Sequence, residues 1–193
     1  LNIFFKTGFW SLIQIIFSHF CGIQTILYWM SIRVKKNYLT FKDNKFQCSI
    51  GRSGFSENKK EGDGFTPVGT FYIDNIYYRA DKIENLNTKI KKIIINESDG
   101  WCDDPIQKKY NQLIQFPCNF SAEKLYRDDS LYDLVCVLNY NNNPIIPGLG
   151  SAIFMHIAKD DYEPTEGCVA LKQADLLHLL SLIDNKTKII LGD

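Results

Sequence analysis

Most of the chain after residue 31 alternates apolar and polar side chains with the period of β-strands. The alternation is clearest within residues 32–50, where the apolar residues Ile32, Val34, Leu39, Phe41, Phe46, Cys48 and Ile50 alternate with polar ones, and Asp43-Asn44 supplies a turn. Two continuous apolar runs, residues 134–138 and 152–155, are bounded by Asn, Pro and Gly and predict strands buried on both faces. Further strands are expected over residues 71–78 and 188–191.

One helical pattern stands out late in the chain, over residues 173–183. Its apolar face is formed by Leu176, Leu177, Leu179, Leu180 and Ile183. The charge-rich segment 80–130 is less regular and suggests a short helix near residues 107–113. Together these patterns predict a mainly β domain with one or two helices over residues 32–193.

Residues 1–31 form an apolar leader that differs from the rest of the chain. No Asp, Glu, Lys or Arg occurs between Thr7 and Ile32, so residues 7–32 are long enough for a membrane anchor. Two glutamines and a histidine interrupt the run, and the basic residues that follow it favour keeping the next domain in the cytoplasm. Three interpretations stay open: a transmembrane segment, a signal-anchor, or sequence upstream of a true start near Met30.

Composition excludes several classes of protein. Hydrophobic residues make up 45% of the chain and aromatic residues 13%, which is enough to build a core and excludes global disorder. Lys plus Arg and Asp plus Glu both number 22, so the chain lacks the basic excess expected of a nucleic-acid-binding protein. The six cysteines include no CxxC pair, which argues against a disulfide scaffold and a structural zinc site.

Two residues stand out as candidates for chemistry. His156 ends an apolar strand run, whereas His178 lies on the predicted helix, where solvent exposure is the ordinary expectation. Cys168 follows Gly167, and a Gly-Cys turn can aim two backbone N–H groups at one point, as an oxyanion hole requires. A thiol also needs an adjacent base to react at neutral pH. Taken alone, the pair is better explained as a structural cysteine and a core histidine.

The flanking residues favour an active site. The run from His156 to Thr165-x-Gly167-Cys168-Val169 resembles the signature of the L,D-transpeptidase (YkuD-like) catalytic domain. Residues 61–71, EGDGFTPVGTF, resemble that family's Gly-Asp-x-x-Thr-Pro-x-Gly-x-Phe segment. Residues 99–105, DGWCDDP, with Tyr-Asn at 110–111, resemble one branch of it. The blocks occur in the family's order, and the resemblance covers residues 32–193.

The resemblance implies a β-sandwich-like fold and an acyltransferase that cross-links peptidoglycan stem peptides, with roles in cell-wall biogenesis and cell shape. Cys168 would be the nucleophile and form a thioester, and His156 would be the general base and then the general acid. The N–H groups of Gly167 and Cys168 would hold the oxyanion, and Thr165 would orient His156 or bind substrate. In this family carbapenem-type β-lactams acylate the active cysteine. No metal or other cofactor is implied, and the substrate places the protein in the cell envelope, on the periplasmic side.

Three features depart from the family pattern. Ile157 follows the histidine where many members have glycine, and the loop from His156 to Thr165 is short. Ala170 stands where the family often has an arginine that would offer a cation to a substrate carboxylate. Arg52, Arg79 or Arg127 would have to supply that cation from elsewhere in the chain.

The motif blocks also contain candidate substrate-binding residues. Asp103 and Asp104 are expected to meet the ammonium group of an acceptor peptide. The full set of expected substrate-binding residues is Asp63, Trp101, Asp103, Asp104 and Arg52.

Two other functions fit the same residues. Water in place of the acceptor amine would make the protein an L,D-carboxypeptidase that uses the same Cys-His site. A non-catalytic cell-wall-binding module would have the same fold but would not need the Cys168 thiol for its function.

Overall fold

The computed structural model describes residues 30–192, and everything below refers to that part of the chain. It contains fifteen short strands and one helix. The strands are β1 (Ile32–Val34), β2 (Tyr38–Phe41), β3 (Asn44–Ser49), β4 (Gly54–Ser56), β5 (Phe65–Pro67), β6 (Gly69–Phe71), β7 (Ile73–Tyr78), β8 (Lys92–Ile94), β9 (Asp99–Cys102), β10 (Leu113–Gln115), β11 (Ala122–Lys124), β12 (Leu134–Leu138), β13 (Phe154–Ile157), β14 (Val169–Leu171) and β15 (Ile189–Leu191). The helix is α1 (Gln173–Leu182). The mainly β prediction is confirmed.

Ten strands form one sheet in the order β6-β15-β1-β2-β3-β14-β13-β12-β7-β8. Strand β6 lies at one edge and β7 lies next to the other, yet only Tyr72 separates them in the chain. The sheet must therefore curl until its two ends approach each other. Backbone and side-chain hydrogen bonds between Tyr72 and Asn139 fix this corner. The curled sheet encloses an apolar interior, as the sandwich-like expectation requires.

The main core lies inside the curl and explains the alternating sequence pattern. Every second residue of β1 to β3 points into it, including Ile32, Val34 and Leu39, which have no exposed surface. Helix α1 packs Leu176, Leu179 and Leu180 against the same cluster. Because its polar face is left outside, His178 is exposed, as predicted.

A second, smaller core lies on the opposite face of β12 and β13. It contains Val135, Phe154 and Cys168, and the three-stranded sheet β10-β9-β11 contributes Trp101 from β9. Aromatic rings fill this layer edge to face: Trp101 meets Phe154 at 5.3 Å between ring centroids. The candidate chemistry lies in this second layer.

Two details of the sequence interpretation are corrected. The short helix expected near residues 107–113 is wrong, because this segment forms turns and then enters β10. Asn111 has φ +54° there, a left-handed conformation that interrupts a helix. The run 71–78 is two strands rather than one, because the chain turns the corner of the sheet at Tyr72.

The predictions about the apolar leader concern residues 1–29, which lie outside the described residues. Within residues 30–192 the structure has no helix that is both long enough and apolar enough to cross a bilayer.

Candidate active site

Cys168 lies immediately before β14, at the end of a turn that its own sequence block builds. Thr165 Oγ1 donates to the Cys168 carbonyl at 2.7 Å and accepts from the Gly167 N–H at 3.1 Å. Gly167 has φ +143°, and a Cβ at this position would come within 2.8 Å of the Phe65 carbonyl oxygen. Glycine is therefore required here, both for the backbone conformation and for the close approach.

The second motif block supports this turn directly. Thr66 is fully buried, and its hydroxyl donates to the Gly167 carbonyl at 2.9 Å while accepting from the Gly51 N–H at 2.9 Å. Asp63 ties the preceding turn together by accepting from the N–H groups of Lys60 and Phe65. The two blocks lie far apart in sequence and jointly shape the loop that presents the cysteine.

His156 lies on β13, the strand beside β14. The Cα atoms of His156 and Ala170 are register partners, and Met155 pairs with Val169. Because alternate residues of a strand share a face, the side chains of Phe154, His156, Cys168 and Ala170 lie on the same face of these two strands. Cys168 therefore lies two residues before Ala170, the residue that pairs with His156 on the neighbouring strand.

The imidazole is held in one orientation and one tautomer. Nδ1 lies 2.8 Å from the backbone carbonyl oxygen of Ile157, which can only accept a hydrogen bond. Nδ1 therefore carries the hydrogen, and the lone pair is on Nε2. The Tyr132 ring meets the imidazole edge to face at 5.4 Å between centroids. Many family members have glycine where this chain has Ile157. Because the bond uses the backbone carbonyl of that residue, the different side chain leaves the bond in place.

Both groups are neutral at rest. Burial lowers the pKa of His156 to about 4, and the charge of Arg127 acts in the same direction. Burial raises the pKa of the Cys168 thiol to about 12, against the hydrogen bond from the Phe154 N–H and the charge of Lys59. The pair is therefore a neutral thiol and a neutral imidazole, and not a preformed thiolate–imidazolium ion pair.

A cavity of about 410 Å³ opens over the two side chains and carries charges of both signs. His156, Cys168, Gly167, Thr165 and Ala170 all line it. Its acidic lining residues are Glu61, Asp103, Glu123, Glu163 and Glu166, and its basic ones are Lys59, Arg127 and Lys159. Among the described residues, four ion pairs involve these charged lining residues: Lys159–Glu163, Arg127–Asp129, Lys59–Asp63 and Arg52–Glu166.

The expected substrate-binding residues divide into two groups. Asp103 lines the cavity, and its Oδ1 is buried without a hydrogen-bond partner. Asp104 instead accepts from the Ile106 N–H and the Gln107 side chain, and it does not line the cavity. Neither do Asp63 and Trp101: Asp63 holds its turn, and Trp101 donates to Asn111 Oδ1 at 3.0 Å.

Arg52 also lies outside the cavity. Its backbone pairs with the segment at Thr165, and its exposed guanidinium forms an ion pair with Glu166 at 3.0 Å. Arg79 donates to Asp81 and to the Arg127 carbonyl, away from the thiol. Of the three arginines considered as replacements for the family arginine at position 170, Arg127 lines the cavity.

Several residues of the site were not found from the sequence. Lys59 is buried, with its side chain 4% exposed, and its Nζ lies 2.5 Å from Asp63 Oδ1. Tyr132 is buried beside His156, and its hydroxyl donates to Glu123 at 3.3 Å. Lys59 precedes a recognised motif by two residues, which is a usable signal. Glu123 lies in the irregular segment 80–130 and Tyr132 lies just after it, and neither carries such a signal.

Comparison with known proteins decides the family. The model of the L,D-transpeptidase catalytic domain (YkuD) matches residues 24–191. The chain belongs to this family. The match covers both motif blocks, the cavity and every described strand, so the YkuD domain is the unit that carries the Cys168–His156 site.

Other comparisons are more distant. No curated protein matches the chain significantly. Among solved structures, that of Bdellovibrio bacteriovorus Bd1075 is similar at 15% sequence identity and a TM-score of 0.42, covering 83% of this chain and 46% of that one. The chain thus spans less than half the length of that protein.

Among the described residues, the other cysteines are poor nucleophile candidates. Cys102 lies on β9 with no exposed surface, and burial raises its pKa. Cys48 and Cys136 are also buried, and Cys118 is partly exposed but lies outside the cavity. Within residues 30–192 no group of three or more His, Cys, Asp or Glu side chains is arranged to hold a metal ion.

Proposed function

We propose that this YkuD domain is a cysteine-dependent L,D-transpeptidase that cross-links peptidoglycan stem peptides through a thioester on Cys168, with His156 as general base and general acid. The observation that carries the proposal is the shared cavity: the Cys168 thiol and the His156 imidazole, whose Nδ1 is held by the Ile157 carbonyl, line it from one face of neighbouring strands. The family's cell-wall role supports peptidoglycan as the substrate. We propose the cell envelope as the site of action for the same reason.

In the first half-reaction, Nε2 of His156 takes the thiol proton as Sγ attacks the carbonyl carbon of the third residue of a donor stem peptide. A neutral imidazole is the form required, and burial keeps His156 in that form at neutral pH. The bond from this carbonyl to the terminal D-alanine then breaks. The imidazolium returns its proton to the departing amine, which leaves an acyl-enzyme thioester.

The developing oxyanion needs backbone donors. Of the two expected N–H groups, that of Gly167 already donates to Thr165 Oγ1 and fixes the turn. We therefore assign the oxyanion to the N–H of Cys168. We assign Thr165 to shaping the turn, since its hydroxyl accepts from the Gly167 N–H and donates to the Cys168 carbonyl.

In the second half-reaction, an acceptor amine attacks the thioester carbonyl and loses a proton to His156. The new amide bond forms as the C–S bond breaks, and the imidazolium returns the proton to the departing sulfur, which regenerates the thiol. The acidic wall formed by Glu61, Asp103 and Glu123 suits the ammonium group of a diamino acid. Burial raises the pKa of Glu123, with the charge of Asp103 adding to the effect, so a bound cation would relieve repulsion between these two carboxylates. Arg127 on the same cavity is assigned to a substrate carboxylate in place of the missing arginine at position 170.

Product analysis tests the proposal. Purified protein is incubated with disaccharide tetrapeptides, and the products are separated and identified by mass spectrometry. Transfer yields cross-linked dimers and D-alanine, and Cys168→Ala yields neither. Tripeptide with free D-alanine and no dimer would instead make the protein a carboxypeptidase that uses water as the acceptor. No turnover by the wild-type protein would leave the fold without the proposed activity.

A further inference from the structure

A buried asparagine outside the reactive pair is connected to the nucleophile by an unbroken chain of contacts. Asn111 uses all the hydrogen-bonding capacity of its side-chain amide. Its Nδ2 donates to the carbonyls of Tyr140 at 3.1 Å and Asn141 at 2.8 Å. Its Oδ1 accepts from Trp101 Nε1 at 3.0 Å and from the Ala152 N–H at 3.0 Å. One side chain thus joins β9 to both ends of the loop between β12 and β13.

Ala152, which Asn111 holds, has an unusual backbone. Its φ is +51°, a left-handed conformation that alanine rarely adopts unless the surroundings impose it. The residue has no side-chain polar group that would favour this conformation locally. The hydrogen bond from its N–H to Asn111 Oδ1 fixes the peptide group at this point.

The conformation of Ala152 determines where the thiol proton rests. Cys168 Sγ donates to the Ala152 carbonyl at 3.1 Å, and the Phe154 N–H donates to Sγ at 3.4 Å. The sulfur is therefore held between an acceptor in the loop before β13 and a donor at the first residue of β13, the strand that also carries His156. If the Ala152 peptide turned to an ordinary conformation, its carbonyl would leave Sγ and the thiol would lose its fixed rotamer.

We propose that Asn111 is a positioning residue for the nucleophile: by holding Ala152 in the left-handed conformation it keeps the Ala152 carbonyl on the thiol of Cys168 and so fixes the sulfur for attack. The inference rests on the proposed function in taking Cys168 as the nucleophile. Asn111 acts through Ala152 and touches neither the sulfur nor the substrate cavity.

The test compares Asn111→Ala with Asn139→Ala. Asn139 is a suitable control because its side-chain carbonyl also accepts from a backbone N–H, that of Tyr72 at 2.8 Å, at a corner of the sheet outside the cavity. Two quantities are measured: steady-state turnover of disaccharide tetrapeptides, and the infrared S–H stretch of Cys168. The infrared band is isolated by subtracting the spectrum of the same protein carrying Cys168→Ala.

The inference predicts a hydrogen-bonded S–H band in the wild type that moves to the free-thiol position in Asn111→Ala. It also predicts that Asn111→Ala loses at least about 30-fold in kcat with KM within about threefold, because the sulfur and not the binding wall is disturbed. Asn139→Ala should leave the band in place and kcat within about threefold. An unshifted band in folded Asn111→Ala, or equal losses in both variants, would overturn the inference.

If Asn111→Ala does not fold, Asn111→Ser is measured in the same two assays with the same expectations, because its smaller polar side chain leaves room for water at the unpaired groups. The infrared measurement needs no substrate. A shifted band together with an inactive wild-type protein would therefore refute the proposed function and leave the positioning role intact.

Discussion

The neutrality of His156 makes stability depend on pH in a calculable way. Its pKa is about 4 in the folded protein because of burial, against an ordinary value of 6.5. Between these two values the unfolded chain binds a proton that the folded protein does not. The stability contributed by keeping the imidazole neutral is therefore complete above pH 6.5 and is lost as the pH falls through that value towards 4.

The size of the effect follows from the same two pKa values. Each pH unit between them is worth about 1.4 kcal/mol, which gives about 3 kcal/mol in full and about 2 kcal/mol by pH 4.5. Urea unfolding of the wild type and of His156→Gln at pH 7 and pH 4.5 measures it. Acidic groups that titrate in the same range contribute to both proteins and cancel in the comparison, so the wild type should lose about 2 kcal/mol more. Equal losses in the two proteins would refute the claim that the structure holds a neutral imidazole ready to act as a base.

Three further substitutions test the walls of the site. Asp103→Asn should raise KM for the acceptor at least about tenfold in steady-state assays, whereas Asp104→Asn, outside the cavity, should leave it unchanged. Equal effects of the two substitutions would show that Asp103 does not bind the acceptor. Thr165→Val should lower the free energy of unfolding by about 1–2 kcal/mol in urea titrations, because two backbone groups lose their partner, and Thr165→Ser should restore it. Lys59→Met should lower stability by about 3 kcal/mol in the same assay, because Asp63 loses its buried partner, and a neutral result would show that the pair has no structural role.

The strands were predictable because their burial follows the period of the sequence. The alternation over residues 32–50 becomes β1 to β3, and the run at 134–138 becomes the buried strand β12. The run at 152–155 is only half right, because Ala152 has φ +51° and β13 begins at Phe154. His156 and Cys168 could be selected because the residues around them are ones that the local structure needs. At position 167, for example, any side chain would collide with the Phe65 carbonyl oxygen, so glycine is required.

What the sequence could not reveal depends on contacts between distant segments. Asp103 and Asp104 are adjacent and chemically identical, yet only Asp103 reaches the cavity, whereas Asp104 accepts hydrogen bonds from the Ile106 N–H and the Gln107 side chain. Asn111 looked like part of a helix, and its role depends on a residue 41 positions away. Tyr132 and Glu123 come from a segment whose irregular pattern gave no basis for placing them beside His156.

Acylation of a single sulfur tests the central claim most directly. The protein is incubated with a carbapenem, and its intact mass is measured for the wild type, Cys168→Ala and Cys118→Ala. Cys118 is the appropriate control because it is more exposed than Cys168 and would be the preferred target of an unselective reagent. The account predicts one adduct on the wild type and on Cys118→Ala, and none on Cys168→Ala. An unmodified wild-type protein, or an adduct that persists in Cys168→Ala, would contradict it.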